Sequence, residues 1–128
     1  MWKYPLLAIG LWYLGIAIYM WFAPQQWYHL TPGVSMTSAY NLHFIRDIAL
    51  IFAISGAALI IGAARGNQTA AIFGAAWPAM HAIFHIWIWV ARGVPFDQVA
   101  LINMIGVQLP AWLAVVATLY HFGKGDPS

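Results

Sequence analysis

Leu42-His43-Phe44-Ile45-Arg46-Asp47-Ile48-Ala49-Leu50-Ile51-Phe52-Ala53-Ile54-Ser55-Gly56-Ala57-Ala58-Leu59-Ile60-Ile61-Gly62-Ala63-Ala64 is the stretch that decides the fold. It carries no charge after Asp47 and no proline, and it is long enough to cross hydrocarbon as a helix, which takes about 20 residues. Hydrocarbon offers no partner to backbone N–H and C=O groups, so a segment of this kind is helical unless its pattern alternates like that of a barrel strand. It does not alternate. Three further stretches read the same way: about Tyr4 to Ala23, about Thr69 to Ala91 and about Gln98 to Tyr120. Pro5 suits a helix start, where its missing N–H is no loss, and Pro24 ends the first span.

The composition of the 128-residue chain agrees. Hydrophobic residues make up 63% and charged residues 6%, against roughly 25% charged in an ordinary soluble domain. So few charges cannot give a fold of this length a hydrated surface, and disorder needs high polarity. The net charge of +2 rests on five Lys/Arg and three Asp, with no basic stripe, which argues against a nucleic-acid partner. No Cys is present, which excludes disulfides, thiolate metal sites and cysteine nucleophiles. Eight Trp, six Tyr and seven Phe suit rings at a membrane–water boundary. The first span resembles a signal peptide only in Lys3 and its apolar run. It is too long and too aromatic, and no small-residue cleavage pattern stands near Trp21-Phe22-Ala23, so it reads as a permanent helix.

The expectation is an all-α, integral membrane, four-helix antiparallel bundle forming one transmembrane domain over 1–128. Its spans are about 4–23, 42–64, 69–91 and 98–120, and the loop 24–41 lies outside. Short connections at Arg65-Gly66-Asn67-Gln68 and Arg92 to Asp97 make sequence neighbours antiparallel neighbours. The amphipathic stretch Pro24 to Val34 reads as a short helix or turn along the interface, with Trp27, Tyr28 and His29 as anchors and Pro32-Gly33 as a turn. Asp97 reads as the N-cap of the last span. Lys3, Arg65 and Lys124 fall on one side and Arg92 on the other, with Arg46 just inside the membrane there. The positive-inside rule then sets both termini in the cytoplasm.

Ionisable residues inside a span are costly and usually face the bundle interior. His43, Arg46 and Asp47 open the second span within one arc of roughly 100°. His81 and His85 are spaced i, i+4 on the third, and Pro78 frees a carbonyl just below them. Asn103 lies on the fourth, on a face with Gly106 and Pro110. At about 1.5 Å per residue, Arg46 sits roughly 7 Å below the outer end of its helix, and His85 and Asn103 roughly 9–10 Å below theirs. These groups are expected to converge in the outer half of the bundle.

Several functions fit such a layer. It can be purely structural, fixing helix register. It can be a metal site, with His43, Asp47, His81 and His85 as ligands from facing helices. Imidazole and carboxylate without thiolate suit Zn²⁺, Cu²⁺ or non-haem iron, although Arg46 opposes a metal's charge. An imidazole pair can also ligate haem, but no attachment motif is present. It can be a small-ligand pocket in which Arg46 and Asn103 orient a polar head and Trp77 and Trp89 wall the apolar part. Ser35, Ser38 and Ser55 lack a base-plus-carboxylate arrangement, which argues against hydrolase chemistry. The leading expectation is a non-catalytic protein that binds a metal or small ligand, or an accessory subunit among other membrane subunits or copies of itself. A membrane-embedded metalloenzyme using the four ligands is the alternative.

Pro32-Gly33-Val34, then Tyr40-Asn41-Leu42-His43-Phe44-Ile45-Arg46-Asp47-Ile48, then Trp77-Pro78 with His81 and His85, resembles a family of small four-span bacterial membrane proteins of uncharacterised function. Members similarly show a Pro-Gly-Val turn, an Asn-x-His-Phe-x-Arg-Asp segment and a His-x-x-x-His segment, often with Gly where Ala49 stands here. The resemblance covers most of the chain. It implies a bacterial inner-membrane location and no particular activity.

Overall fold

A computed structural model describes residues 1–123. Lys124 and the rest of the polar tail lie outside the described residues. The fold is all-helical, with no strand among the described residues. Four helices are long and apolar enough to cross a membrane: α1 (Lys3–Phe22), α3 (Leu42–Arg65), α4 (Gln68–Ala91) and a last span, Gln98–Phe122. The last span is built from α5 (Gln98–Asn103), a π-helical segment (Met104–Gln108) and α6 (Leu109–Phe122). The expected spans agree with these within two residues at each end.

Side-chain caps start the three later spans. The Asn41 Oδ1 accepts from the Phe44 N–H at 3.0 Å, the Asn67 Oδ1 from Ala70 at 2.9 Å and the Asp97 Oδ1 from Ala100 at 2.8 Å. Each satisfies a backbone donor that the helix itself leaves free. Between α3 and α4, Gly66 adopts a left-handed φ of 65° and the Asn67 N–H returns to the Gly62 carbonyl at 3.0 Å. That reversal is tight because glycine carries no Cβ penalty there. α4 runs continuously through Pro78, which is buried.

α1 packs on α3, α3 on α4, and α4 and α1 both on α6, which closes the bundle. Leu6, Ile9, Tyr13, Ala17 and Met20 form the buried seam of α1, at the three- and four-residue spacing of coiled-coil packing. Ile45, Ala49, Phe52, Gly56, Leu59 and Ala63 answer from α3. Lipid tails are as apolar as leucine, so close packing holds such helices together rather than escape from water. The contact of Gly10 with Gly56 illustrates it. A Cβ on Gly10 would stand 2.8 Å from the Gly56 carbonyl oxygen, and one on Gly56 2.6 Å from that of Gly10. Gly106 behaves differently: a Cβ there would meet nothing within 4 Å, so it is not a close-approach glycine. Large apolar residues such as Leu11, Ile18, Phe73, Met80 and Trp87 face outward.

The connection 24–41 is mostly structured. Pro24 breaks α1, and α2 (Pro24–Leu30) begins at once. The Tyr28 hydroxyl donates to the Ser38 carbonyl at 2.6 Å, and the Tyr28 ring meets Tyr40 edge-on at 5.5 Å. Gly33, with φ 92°, turns the chain against Val99 of the last span, whose Cγ1 lies 2.7 Å from where a Cβ would be. The loop is thus fastened to itself and to the far side of the bundle.

Candidate functional site

The expected single layer separates into three places. On α3 the arc of His43, Arg46 and Asp47 exists, but His43 and Asp47 face outward, and Arg46, half-buried, turns toward Trp21 of α1. The buried stripe runs through Ile45 and Ala49, and His43 and Asp47 stand two positions either side of Ile45, about 200° around the helix. They pair with each other at 3.4 Å, with their side chains 89% and 54% exposed. The correction has a simple cause. Near the end of a span these groups reach the polar boundary, so nothing drives them inward, while the apolar stripe fixes the rotation of the whole helix.

The proposed metal ligands are therefore not gathered. His81 and His85 stay together, with ring centroids 4.4 Å apart, but His43 and Asp47 stand on the outer face. Among the described residues no group of three or more His, Asp or Glu side chains lies close enough to hold one metal ion.

His81, His85 and Asn103 instead belong to a seam between α4 and the last span. His81 stacks on Trp77 at 4.7 Å, with 14° between the rings, and presents an edge to Phe52 at 6.3 Å. The Asn103 side chain lies beside the His85 imidazole. Gln108, buried, extends the seam. Its Nε2 donates to the Ala82 carbonyl at 2.9 Å and reaches Asn103 Oδ1 at 3.5 Å, and its Oε1 accepts from Trp112 Nε1 at 3.0 Å. The π-helical turn ends on Gln108, and such turns often sit where a helix departs from regularity for a functional or packing reason. A small cavity of about 10 Å³ lies among Tyr13, Phe52, Trp77, His81, Gly106 and Val107, barely the space of one water molecule. The Tyr13 hydroxyl is buried there without a hydrogen-bond partner.

The third place is a groove. Pro24 turns the chain sharply from α1 into α2, and the first turns of α3 lie alongside. Between them is an open groove of about 350 Å³ lined by Phe22, Gln25, Gln26, Tyr40, Leu42 and Arg46, with Ala23 and Pro24 at the bend. The Arg46 guanidinium lies over the Trp21 ring, its Cζ 5.1 Å from the centroid. Its Nε is buried without a partner. Among the described residues no carboxylate forms an ion pair with Arg46: Asp47 faces His43 and Asp97 faces Arg92. The groove thus holds one cation, two carboxamides, a tyrosine and an apolar rim. That set binds anions by charge-assisted hydrogen bonds and offers no nucleophile–base pair.

Of the expected ligand-binding residues, Arg46 lines the groove, Trp77 lines the small cavity and Asn103 lies in the seam. Trp89 does other work: its Nε1 donates to the Pro95 carbonyl at 2.8 Å and its ring meets Phe96 edge-on at 5.9 Å. It staples the 92–97 turn, where Arg92 bonds Asp97 at 2.6 Å. The Asp97 carboxyl is held below the usual carboxylate range by the Ala100 N–H and then by Arg92.

The sequence reading passed over Gln108, Tyr13 and Trp21. Gln108 carried a usable signal, an amide in an otherwise apolar span, and Trp21 stood at the end of the first span, where a ring can meet a cation. Compared with protein-family profiles, curated proteins and solved structures, the chain matches none, so the motif resemblance brings no activity with it.

Proposed function

We propose that this is a small-ligand-binding membrane protein whose site is the Arg46 groove, and that the ligand is an anion with an apolar part. One observation carries the reading: an arginine without an ion-pair partner among the described residues, laid on an aromatic ring, in a groove of about 350 Å³. That volume lies within the roughly 300–1,000 Å³ of ligand sites. Unpaired arginine inside a membrane protein usually marks function, and the cation–π contact with Trp21 holds the guanidinium without using its N–H donors in hydrogen bonds. The histidine–asparagine–glutamine seam serves register in this reading, fixing α4 against the last span.

The same reading sets the protein in a bacterial inner membrane with both termini cytoplasmic and the groove on the opposite face. In the sequence, Lys3, Arg65 and Lys124 on one side outnumber Arg92 and Arg46 on the other, which supports this orientation.

Thermal melts of detergent-purified protein with octyl phosphate, octanoate and octyltrimethylammonium test the function. The two anions should raise Tm in wild type and lose that effect in Arg46→Gln. Equal responses to anionic and cationic amphiphiles would defeat the reading.

A further inference from the structure

We infer that the resident ligand of the groove is the phosphate headgroup of an anionic membrane phospholipid. This rests on the groove reading above and narrows it. The lining grades across one short surface, from the carboxamides of Gln25 and Gln26, through Tyr40 and Arg46, to the apolar Phe22 and Leu42. A soluble anion would use only the polar half. A lipid uses both, with its headgroup among the donors and its first methylenes against the apolar rim.

Position and size agree. The groove is formed where α1 ends and α3 begins, so it lies at the level of the headgroups. Its volume of about 350 Å³ is near the lower bound of about 300 Å³ for ligand pockets. That suits a headgroup whose chains stay in the bilayer, and the groove is open rather than enclosed.

Charge and donor geometry favour phosphate. Among the described residues Arg46 is the only charged one in the lining, and the neighbouring carboxylate of Asp47 is turned away toward His43. The field in the groove is therefore positive. Arginine with carboxamide donors from a different helix approaches an anion from more than one direction. A tetrahedral phosphate, with several acceptor oxygens, uses such donors better than a planar carboxylate.

Native mass spectrometry tests the inference. Detergent-solubilised protein is mixed with equal amounts of phosphatidylglycerol and phosphatidylcholine, and the bound lipid is counted. Wild type should retain phosphatidylglycerol about tenfold over phosphatidylcholine, which carries the same phosphate but whose choline cation offsets the attraction to Arg46. The ratio should fall toward one in Arg46→Gln, lie between in Arg46→Lys, and stay at the wild-type value in Arg92→Gln, which removes an arginine from the same membrane face outside the groove. Circular dichroism confirms that each variant keeps its helices. If Arg46→Gln does not fold, Trp21→Leu, which removes the platform and keeps the charge, should lower the ratio instead. Equal retention of both lipids, or a preference that Arg92→Gln reduces as much as Arg46→Gln, overturns the inference. A parallel arm uses octyl phosphate and inorganic phosphate. If these bind in an Arg46-dependent way while phosphatidylglycerol does not, the groove reading stands and the lipid falls. If none binds through Arg46, both fall.

Discussion

Arg46 lies over the indole of Trp21, joining the second span to the end of the first at the mouth of the groove. A cation over an indole face contributes about 0.5–1 kcal/mol when exposed and about 2 when desolvated. Trp21→Leu and Arg46→Gln should therefore each lower thermal stability, and the double variant should lose less than the sum. A double-mutant cycle of melting in one detergent measures the coupling, and a coupling near zero would show the two side chains to be independent.

Asp47 and His85 should be energetically separate. Asp47 pairs with His43 on the outer face, while His85 meets His81 and Asn103 in the seam. Stability losses in Asp47→Asn and His85→Ala should add within about 0.5 kcal/mol, as for residues with no shared partner. Gln108 and Trp112 should behave oppositely, because they share a hydrogen bond of 3.0 Å. Gln108→Leu with Trp112→Phe should show a coupling of about 0.6 kcal/mol, the average for interactions of this kind in a membrane.

Glycine substitutions should separate packing from propensity. Gly10→Ala and Gly56→Ala put a methyl against a carbonyl across the α1–α3 contact, an overpacking that costs about 1–3 kcal/mol. Gly106→Ala meets nothing within 4 Å and should be tolerated. In thermal melts of the three variants side by side, Gly106→Ala should unfold near the wild-type temperature and the other two well below it.

The start of the last span should respond to acid. The Asp97 carboxyl is held below its ordinary range by the Ala100 N–H and by Arg92, so its contribution to the folded state is present above that range. It is lost as pH falls through the lowered value. The protection of the Ala100 amide, its exchange rate measured against the intrinsic rate at the same pH, should fall on acidification in wild type. In Asp97→Asn, which keeps a capping oxygen and has no carboxyl to titrate, that loss of protection should be absent.

The spans were legible because hydropathy and chain breakers agree: Pro24, Gly66 and Pro95 stand where the helices stop. The cap at Asp97 was legible too, whereas those at Asn41 and Asn67 carried the same signal, an Asx residue just before an apolar run, and went unread. Arg46 was found by asking which ionisable residues a span contains. The rotation of α3 was misjudged because an arc of polar residues says where they lie relative to one another, not which way the arc faces. Ile45, Ala49, Phe52 and Gly56 hold that information, and they outweigh three side chains with access to the boundary. The groove itself depends on how α2 folds back after Pro24, which follows from Tyr28 reaching Ser38 and Tyr40, contacts no local pattern encodes. The π-helical turn was not legible either, since no residue in Met104–Gln108 compels it.

That turn has a consequence for how the chain tolerates changes in length. A π-helical turn holds one residue more than the regular ladder needs. Deleting a single position within 104–108 would let the backbone close into ordinary i→i+4 bonding, with α5 and α6 keeping their orientation. The same deletion in the middle of α3 or α4 would swing every later side chain of that helix by about 100°. The last span thus carries a spare residue, and the loss of one position there leaves the seam on either side in register.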